Sequence, residues 1–289
     1  IPGDIQRVVS GTIASEEIWS GTVFITGDLT ISETGKVTIQ PGTRILVDSK
    51  FDDQASGLNT SRIELLIDKG ILLAEGSESE PIVFTSIDAA PKQNDWYGIR
   101  IQSDRVVLKH CLIEYGDIGI LIGQNGLPQI SHCTIQKNKE QRIRIDTPDD
   151  YTITDCVVQE NGVDGILSKN FASVHLLRCQ IDSNGNDGIS ILGTSSIEGC
   201  IVQENLGYGI NIGGTGYAHT IQDTVIQANV KTGLLTGTGS LSFHVYRSKI
   251  VNNGSFTAKK GADGIYAVAP LNVVDSVISG NNGKGISLV

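Results

Sequence analysis

The sequence predicts an all-β solenoid in which each repeat forms one coil of parallel strands. Three observations predict it. A small residue opens a short C/S/T-x-I/V unit eight times, at Cys111, Cys133, Cys156, Cys179, Cys200, Thr224, Ser248 and Ser276, with 21 to 28 residues between successive copies. That period is the mark of a solenoid. Five residues after seven of the eight stands an asparagine: Asn138, Asn161, Asn184, Asn205, Asn229, Asn253 and Asn281. Four residues after most of these comes Gly with Ile or Leu, as in Gly165-Ile166, Gly188-Ile189, Gly209-Ile210, Gly233-Leu234 and Gly285-Ile286. Finally, apolar residues alternate within each unit, as in Cys179-Gln180-Ile181 and Ile189-Ser190-Ile191. Alternation of period 2 marks strands with one buried face, and no stretch carries helical spacing.

The elements follow in order. Residues 1–109 form irregular N-terminal coils, with strand-like runs at Gly21–Ile25, Gly42–Val47, Ile71–Gly76, Pro81–Ser86 and Trp96–Ile101. Segments 48–62 and 86–95 read as loops between coils. Residues 110–289 hold the regular repeats, one of them lengthened by an insertion between Asn253 and Asp263. The whole chain, 1–289, reads as one domain of roughly ten to twelve coils, since a solenoid grows along its axis. Equivalent residues of successive coils should stack about 4.8 Å apart. The asparagines then form a buried ladder, each amide bonding its neighbours, and asparagine tolerates the left-handed backbone of a tight turn. All five cysteines, Cys111 to Cys200, occupy one column whose later members are Thr224, Ser248 and Ser276. The column asks for a small inward side chain. Its stacking distance exceeds the roughly 3.8 Å between Cβ atoms of a disulfide. Five buried free thiols are expected, with no metal bound.

Composition narrows the partners. The formal net charge is −10, which disfavours nucleic acid and acidic membrane surfaces. No apolar run is long enough to span a bilayer. The chain opens on Ile1 and contains no methionine, as expected of a processed or excised product. The last repeat follows the coil consensus through Ile286 and Leu288, with no polar cap after it. Either the polypeptide continues into further domains beyond residue 289, or the end is covered by end-to-end contact with another copy or by an early loop.

The N-x-x-x-G-I and C/S/T-x-I units resemble those of the right-handed parallel β-helix, or pectin-lyase-like, proteins. The resemblance covers nearly the whole chain. It implies a single-stranded right-handed parallel β-helix solenoid and an extracellular or cell-surface setting. It leaves the activity open, because this scaffold hosts lyases, hydrolases, epimerases and inert surface proteins. It also implies where a ligand lies: across the outside of one sheet, held by side chains from consecutive coils.

The outward residues of the Gly-Ile strand supply candidates. One column runs Arg100, Leu121, Arg144, Leu167, Ser190, Asn211, Leu235; the next includes Asp146 and Lys169. The residue before each glycine adds Tyr97, Asp164, Asp187 and Tyr208. Arg144, Asp146, Asp164, Lys169, Asp187, Ser190, Tyr208 and Asn211 are expected to line one groove. In polygalacturonase-like hydrolases consecutive coils present Asn-Thr-Asp, Asp-Asp, Gly-His-Gly and Arg-Ile-Lys here. This chain has Val163-Asp164-Gly165, Asn186-Asp187-Gly188, Gly207-Tyr208-Gly209 and Gly233-Leu234-Leu235. Asp164 and Asp187 stand where two catalytic acids would, and glycosidic cleavage needs such a pair. The histidine and the Arg-Ile-Lys element are missing, and Asp before Gly is an ordinary capping pair in turns. A uronate lyase would instead use Lys169 or Arg144 as base, with calcium neutralising the acid; no other cofactor is implied. His110 and His132, followed in their column by Asp155, weigh a metal site against a solvated face. Trp96 and Tyr97 weigh a sugar-stacking platform against aromatic packing. Glu114, Gln136, Gln159, Asp182, Gln203 and Gln227 form a polar outer column suited to side-chain ladders.

Taken together, the residues point to recognition of an extended polysaccharide along one sheet face. Polysaccharide hydrolysis or lysis on that face, and a non-catalytic structural or adhesion module, are the alternatives.

Overall fold

The structure, a computed structural model, describes residues 4–140, 143–254 and 262–289, so most of the 253–263 insertion lies outside the described residues. Every regular element among them is a β-strand, and the strand pairings are parallel. The chain is a parallel β-helix. Its residues divide into two compact units, Ile1–Thr147 and Pro148–Val289.

The first unit starts irregularly for a visible reason. Strand Thr22–Ile31 pairs along its first half with Arg44–Val47 and along its second half with Glu64–Asp68. One long strand thus does the work of two, before the coil acquires the corner that separates them. By Cys111–Glu114 that corner is present, and the next strand, Ile120–Ile122, follows a turn through Gly116. The third strand of the coil, Gln129–Ser131, lies on Val106–Lys109 of the coil before.

The second unit repeats a three-strand coil. Gln180–Asp182, Ile189–Leu192 and Ser195–Glu198 form one such coil. Ile166, Ile189, Ile210, Leu234, Ile265 and Ile286 stand in register, each on the next. All but the last are fully buried, each contributing about 1.5–3 kcal/mol relative to exposure.

Left-handed residues make two of the corners. One set precedes the small-residue column: His110, His132, Asp155, Arg178, Gly199, Asp223, Arg247 and Asp275, with φ between 43° and 63°. The other precedes Gly116 and the seven asparagines: Tyr115, Lys137, Glu160, Ser183, Glu204, Ala228, Asn252 and Gly280, with φ between 52° and 67°. The asparagine is therefore not itself the left-handed residue. It stands one place later and satisfies the backbone groups the corner leaves unpaired. Asn229 shows the pattern. Its Nδ2 donates to Asn253 Oδ1 at 2.9 Å and to Val202 O at 3.1 Å, while its Oδ1 accepts from the Asn205 amide at 3.1 Å and from Asn205 Nδ2 at 2.9 Å. The same links join Asn184 to Asn205 and Asn253 to Asn281.

The small-residue column works likewise. The Cys200 thiol reaches Glu198 O at 3.3 Å, the Thr224 hydroxyl donates to Gln222 O at 2.8 Å, and Ser248 donates to Tyr246 O at 2.7 Å. Each also takes an amide from the coil before: Cys179 N to Cys200 Sγ, Cys200 N to Thr224 Oγ1, Thr224 N to Ser248 Oγ. The column therefore selects a short side chain that both donates and accepts, which explains why Cys, Thr and Ser interchange. All five cysteines are free and buried. The neighbouring Cys179 sulfur, together with burial, pushes the Cys200 thiol well above its ordinary value, which keeps it protonated and unreactive.

Candidate functional site

In the first unit the outward column of the Gly-Ile strands brings Arg100, Leu121 and Arg144 into register. Arg144 is not a free base. Its guanidinium grips Asp146 just past the end of its strand, Nε to Oδ1 at 2.9 Å and Nη2 to Oδ2 at 2.7 Å, and this hydrogen bond raises its pKa further. Arg100 is paired with Glu64 at 2.9 Å. Burial, opposed by the Arg100 charge, lifts the Glu64 carboxyl above its usual range. Tyr97 is half-buried, and burial followed by the Glu64 charge raises its phenol. Trp96 departs from the stacking expectation: it is 1 % exposed and donates its indole N–H to Glu114 O at 2.9 Å. Its ring belongs to the core and offers no face to a sugar.

Sequence reasoning did not find a groove of about 880 Å³ on the outside of the first unit, lined by Phe24, Arg44, Phe51, Thr85, Asp88 and Glu114. Its signal was spread over strands and two loops that share no repeat. Asp88 is held by the Ser49 hydroxyl at 2.7 Å, and that bond lowers its pKa. Glu114 takes the Thr85 hydroxyl at 3.0 Å and the Gln136 amide at 2.8 Å, the first rungs of the expected outer ladder. His110 and His132 stack ring over ring, 4.7 Å between centroids and 13° apart. Asp155, considered above as their partner, lies in the second unit and is clamped by Arg178 at 2.7 Å. Among the described residues no group of three or more His, Cys, Asp or Glu side chains is arranged to hold a metal ion.

The second unit brings together Asp164, Asp187, Ser190, Tyr208 and Asn211. Leu167, Ser190 and Asn211 are in register on adjacent strands. Asp164 and Asp187 sit in the turns before those strands and are 7 % and 5 % exposed. Asp164 Oδ1 accepts from Asn186 Nδ2 at 2.7 Å and from the Asp187 amide at 3.1 Å. Asp187 Oδ1 accepts from the Tyr208 amide at 2.9 Å, and its Oδ2 from Asn211 Nδ2 at 2.9 Å. Asp263 repeats the move on the Lys284 amide at 2.7 Å. Each aspartate thus fastens the equivalent turn of the next coil. Burial lifts the Asp164 carboxyl above its usual range, against the Asn186 hydrogen bond and with the Asp187 charge. Tyr208 is half-buried, with the Lys231 ammonium 4.8 Å above its ring. Ser190 and Asn211 are half-buried, and Lys169 is exposed. This arrangement offers neutral hydrogen-bonding groups along a sheet face, with its two carboxylates engaged by backbone amides and by the Asn186 and Asn211 side chains.

A family profile described as "Right handed beta helix region" matches residues 53–198, half of the chain. No curated protein matches in sequence. Among solved structures, a double mutant of the periplasmic alginate epimerase AlgG is similar over 96 % of this chain and 79 % of its own, at 16 % identity and a TM-score of 0.51. AlgG itself gives 98 %, 78 %, 16 % and 0.47. The A-module of the mannuronan C-5 epimerase AlgE4 of Azotobacter vinelandii gives 93 %, 89 %, 13 % and 0.37. With the profile spanning half its length and parallel strand pairing continuing on both sides of the match, the chain belongs to the right-handed β-helix family.

Proposed function

We propose that the protein recognises an extended polysaccharide along the outer face of the Gly-Ile strands of its second unit, and that it does so outside the cytoplasm. The class of ligand follows the alginate epimerase, whose coils are similar; the mode follows from this chain's own residues. One observation carries the reading. Asp187 has a hydrogen bond at each carboxylate oxygen, from the Tyr208 amide and from Asn211, and it is 5 % exposed. A nucleophile or base must reach the sugar, and burial with both oxygens held by protein donors turns this carboxylate away from it. Ser190, Tyr208 and Asn211, by contrast, remain partly open to solvent.

A catalytic reading of the same face draws on one feature. Asp164 is buried and its carboxyl is lifted above the ordinary range, as a general acid requires. In that reading Asp164 protonates the leaving oxygen, with Asp187 or Lys169 of the same unit as the partner base; a lyase route would add calcium beside the uronate. Affinity electrophoresis in gels containing neutral or acidic polysaccharides, run beside assays for reducing ends and for unsaturated products, separates the two. Recognition predicts retardation without products. Products that vanish in Asp164→Asn would establish catalysis instead.

A further inference from the structure

The second unit exposes aromatic rings that no repeat column marks. After strand Ile166–Ser168 the chain turns through Lys169, Asn170, Phe171 and Ala172. Phe171 has φ +59° and is 54 % exposed. An exposed phenylalanine gives up its own burial. Two coils later Tyr217 stacks on it, with 6.0 Å between centroids and 16° between planes.

Glycines make this meeting possible. The coil between them turns through Gly193 and Thr194 alone, and a side chain at Gly193 would run into the Ala172 carbonyl. At Gly214 an added Cβ would come within 3.0 Å of the Tyr217 ring. The rings therefore lie over a stretch stripped of side chains. Leu192, 40 % exposed, and Leu241, 66 % exposed, extend the apolar ledge.

The ledge continues the face described above. Ser190 and Leu192 alternate on one strand, so both point outward. Ser190 pairs with Asn211 on the next strand. A sugar ring carries an apolar C–H face and a rim of hydroxyls, which suits rings beside neutral amide and hydroxyl groups. Lys169 is the charged side chain in the turn, while Asp164 and Asp187 are engaged by backbone amides and by Asn186 and Asn211, which leaves the side-chain carbonyl oxygen of Asn211 for a sugar hydroxyl. The exposed polar groups are mostly uncharged, on a protein of net charge −10.

We infer that Phe171 and Tyr217 form a stacking ledge for a neutral pyranose polysaccharide, whose hydroxyls reach Ser190 and Asn211. This rests on the polysaccharide-recognition reading of the same face. The test is isothermal titration of the full chain with hexasaccharides of glucan, mannan and xylan, and with oligogalacturonate and oligomannuronate. Variants are Phe171→Asn, which suits left-handed backbone, Tyr217→Ala, their double variant, and Tyr217→Phe; thermal unfolding verifies each fold. A neutral hexasaccharide should bind, the double variant should lose about tenfold or more in affinity, and Tyr217→Phe should stay within about twofold. Unchanged affinity in a folded double variant would remove the ledge and leave the recognition reading standing. Failure of every glycan to bind would remove both. Binding of acidic oligomers alone would overturn the neutral class. A concentration-dependent dimer in sedimentation that dissolves in the double variant would show that the ledge serves a second copy of this chain.

Discussion

Asn205 and Asp187 both bind a neighbouring coil through a side-chain oxygen, but they differ in what can be stacked upon them. Asn205 reaches back, its Oδ1 taking the Asn184 amide, and its Nδ2 reaches forward to Asn229. Asp187 reaches only forward, taking the Tyr208 amide. An amide has a donor and an acceptor, so asparagine over asparagine propagates. A carboxylate only accepts, and carboxylate over carboxylate repels. Burial raises the neighbouring Asp164 carboxyl, and the Asp187 charge adds to that rise. The asparagine column therefore runs unbroken from Asn184 to Asn281, while the aspartate column gives way to Tyr208 and Thr232. Charge thus limits how far such a column can propagate.

The comparison breaks first at the ladder. Asn229→Ala removes two donors and an acceptor and strands the buried Asn205 amide. Urea unfolding should show a loss of about 4 kcal/mol. A loss below about 1 kcal/mol would mean the ladder does not hold the coils.

His219 tests another neutral polar group of the interior. It is fully buried, bonded to Ser195 Oγ at 3.0 Å and stacked on Phe243 at 4.3 Å. Burial lowers its pKa from 6.5 to about 4. The unfolded chain then takes up the proton first, so stability is complete above pH 6.5 and falls as pH drops toward 4. The expected loss across that window is about 3 kcal/mol. His219→Phe should flatten it, and an unchanged acid limb would contradict the assignment.

The aspartates should matter less. Asp187→Ala leaves the Tyr208 amide and Asn211 without an acceptor and should cost about 2 kcal/mol. Asp187→Asn, which keeps one acceptor, should cost less. Asp164 carries the opposite sign of pH dependence. Its folded pKa is raised, so its contribution is complete below the ordinary carboxylate range and is lost as pH climbs through the raised value. Asp164→Asn should be neutral or stabilising at pH 7 in thermal unfolding, and a large loss there would show that the charged form is needed. The smallest effect belongs to the exposed clamp of Arg247 on Asp223, 2.7 Å apart. Arg247→Ala should move the melting temperature by about a degree or less.

The fold was legible because its inward columns repeat in kind: a short donor-acceptor at Cys179, Cys200 and Thr224, an amide five residues on, and glycine before the next strand. The left-handed corner residues were not legible, since Tyr115, Lys137, Glu160 and Ala228 share no chemistry. Only the step they force on the next residue recurs. The face was half legible. Alternation put Ser190 and Asn211 outward, but Asp-Gly spacing reads alike for a capping carboxylate and a catalytic one. Phe171 and Tyr217 escaped because their turns differ in length from coil to coil, and of the two roles weighed for Trp96 its burial selects packing.

The most direct measurement is one titration of wild-type protein with neutral hexasaccharides, with reducing ends and unsaturated products followed in the same cell. The account predicts saturable binding, no products, and the same affinity within about threefold in Asp164→Asn, because that carboxylate faces backbone and Asn186. Release of products that Asp164→Asn abolishes would contradict it, making the capping carboxylate a catalytic acid.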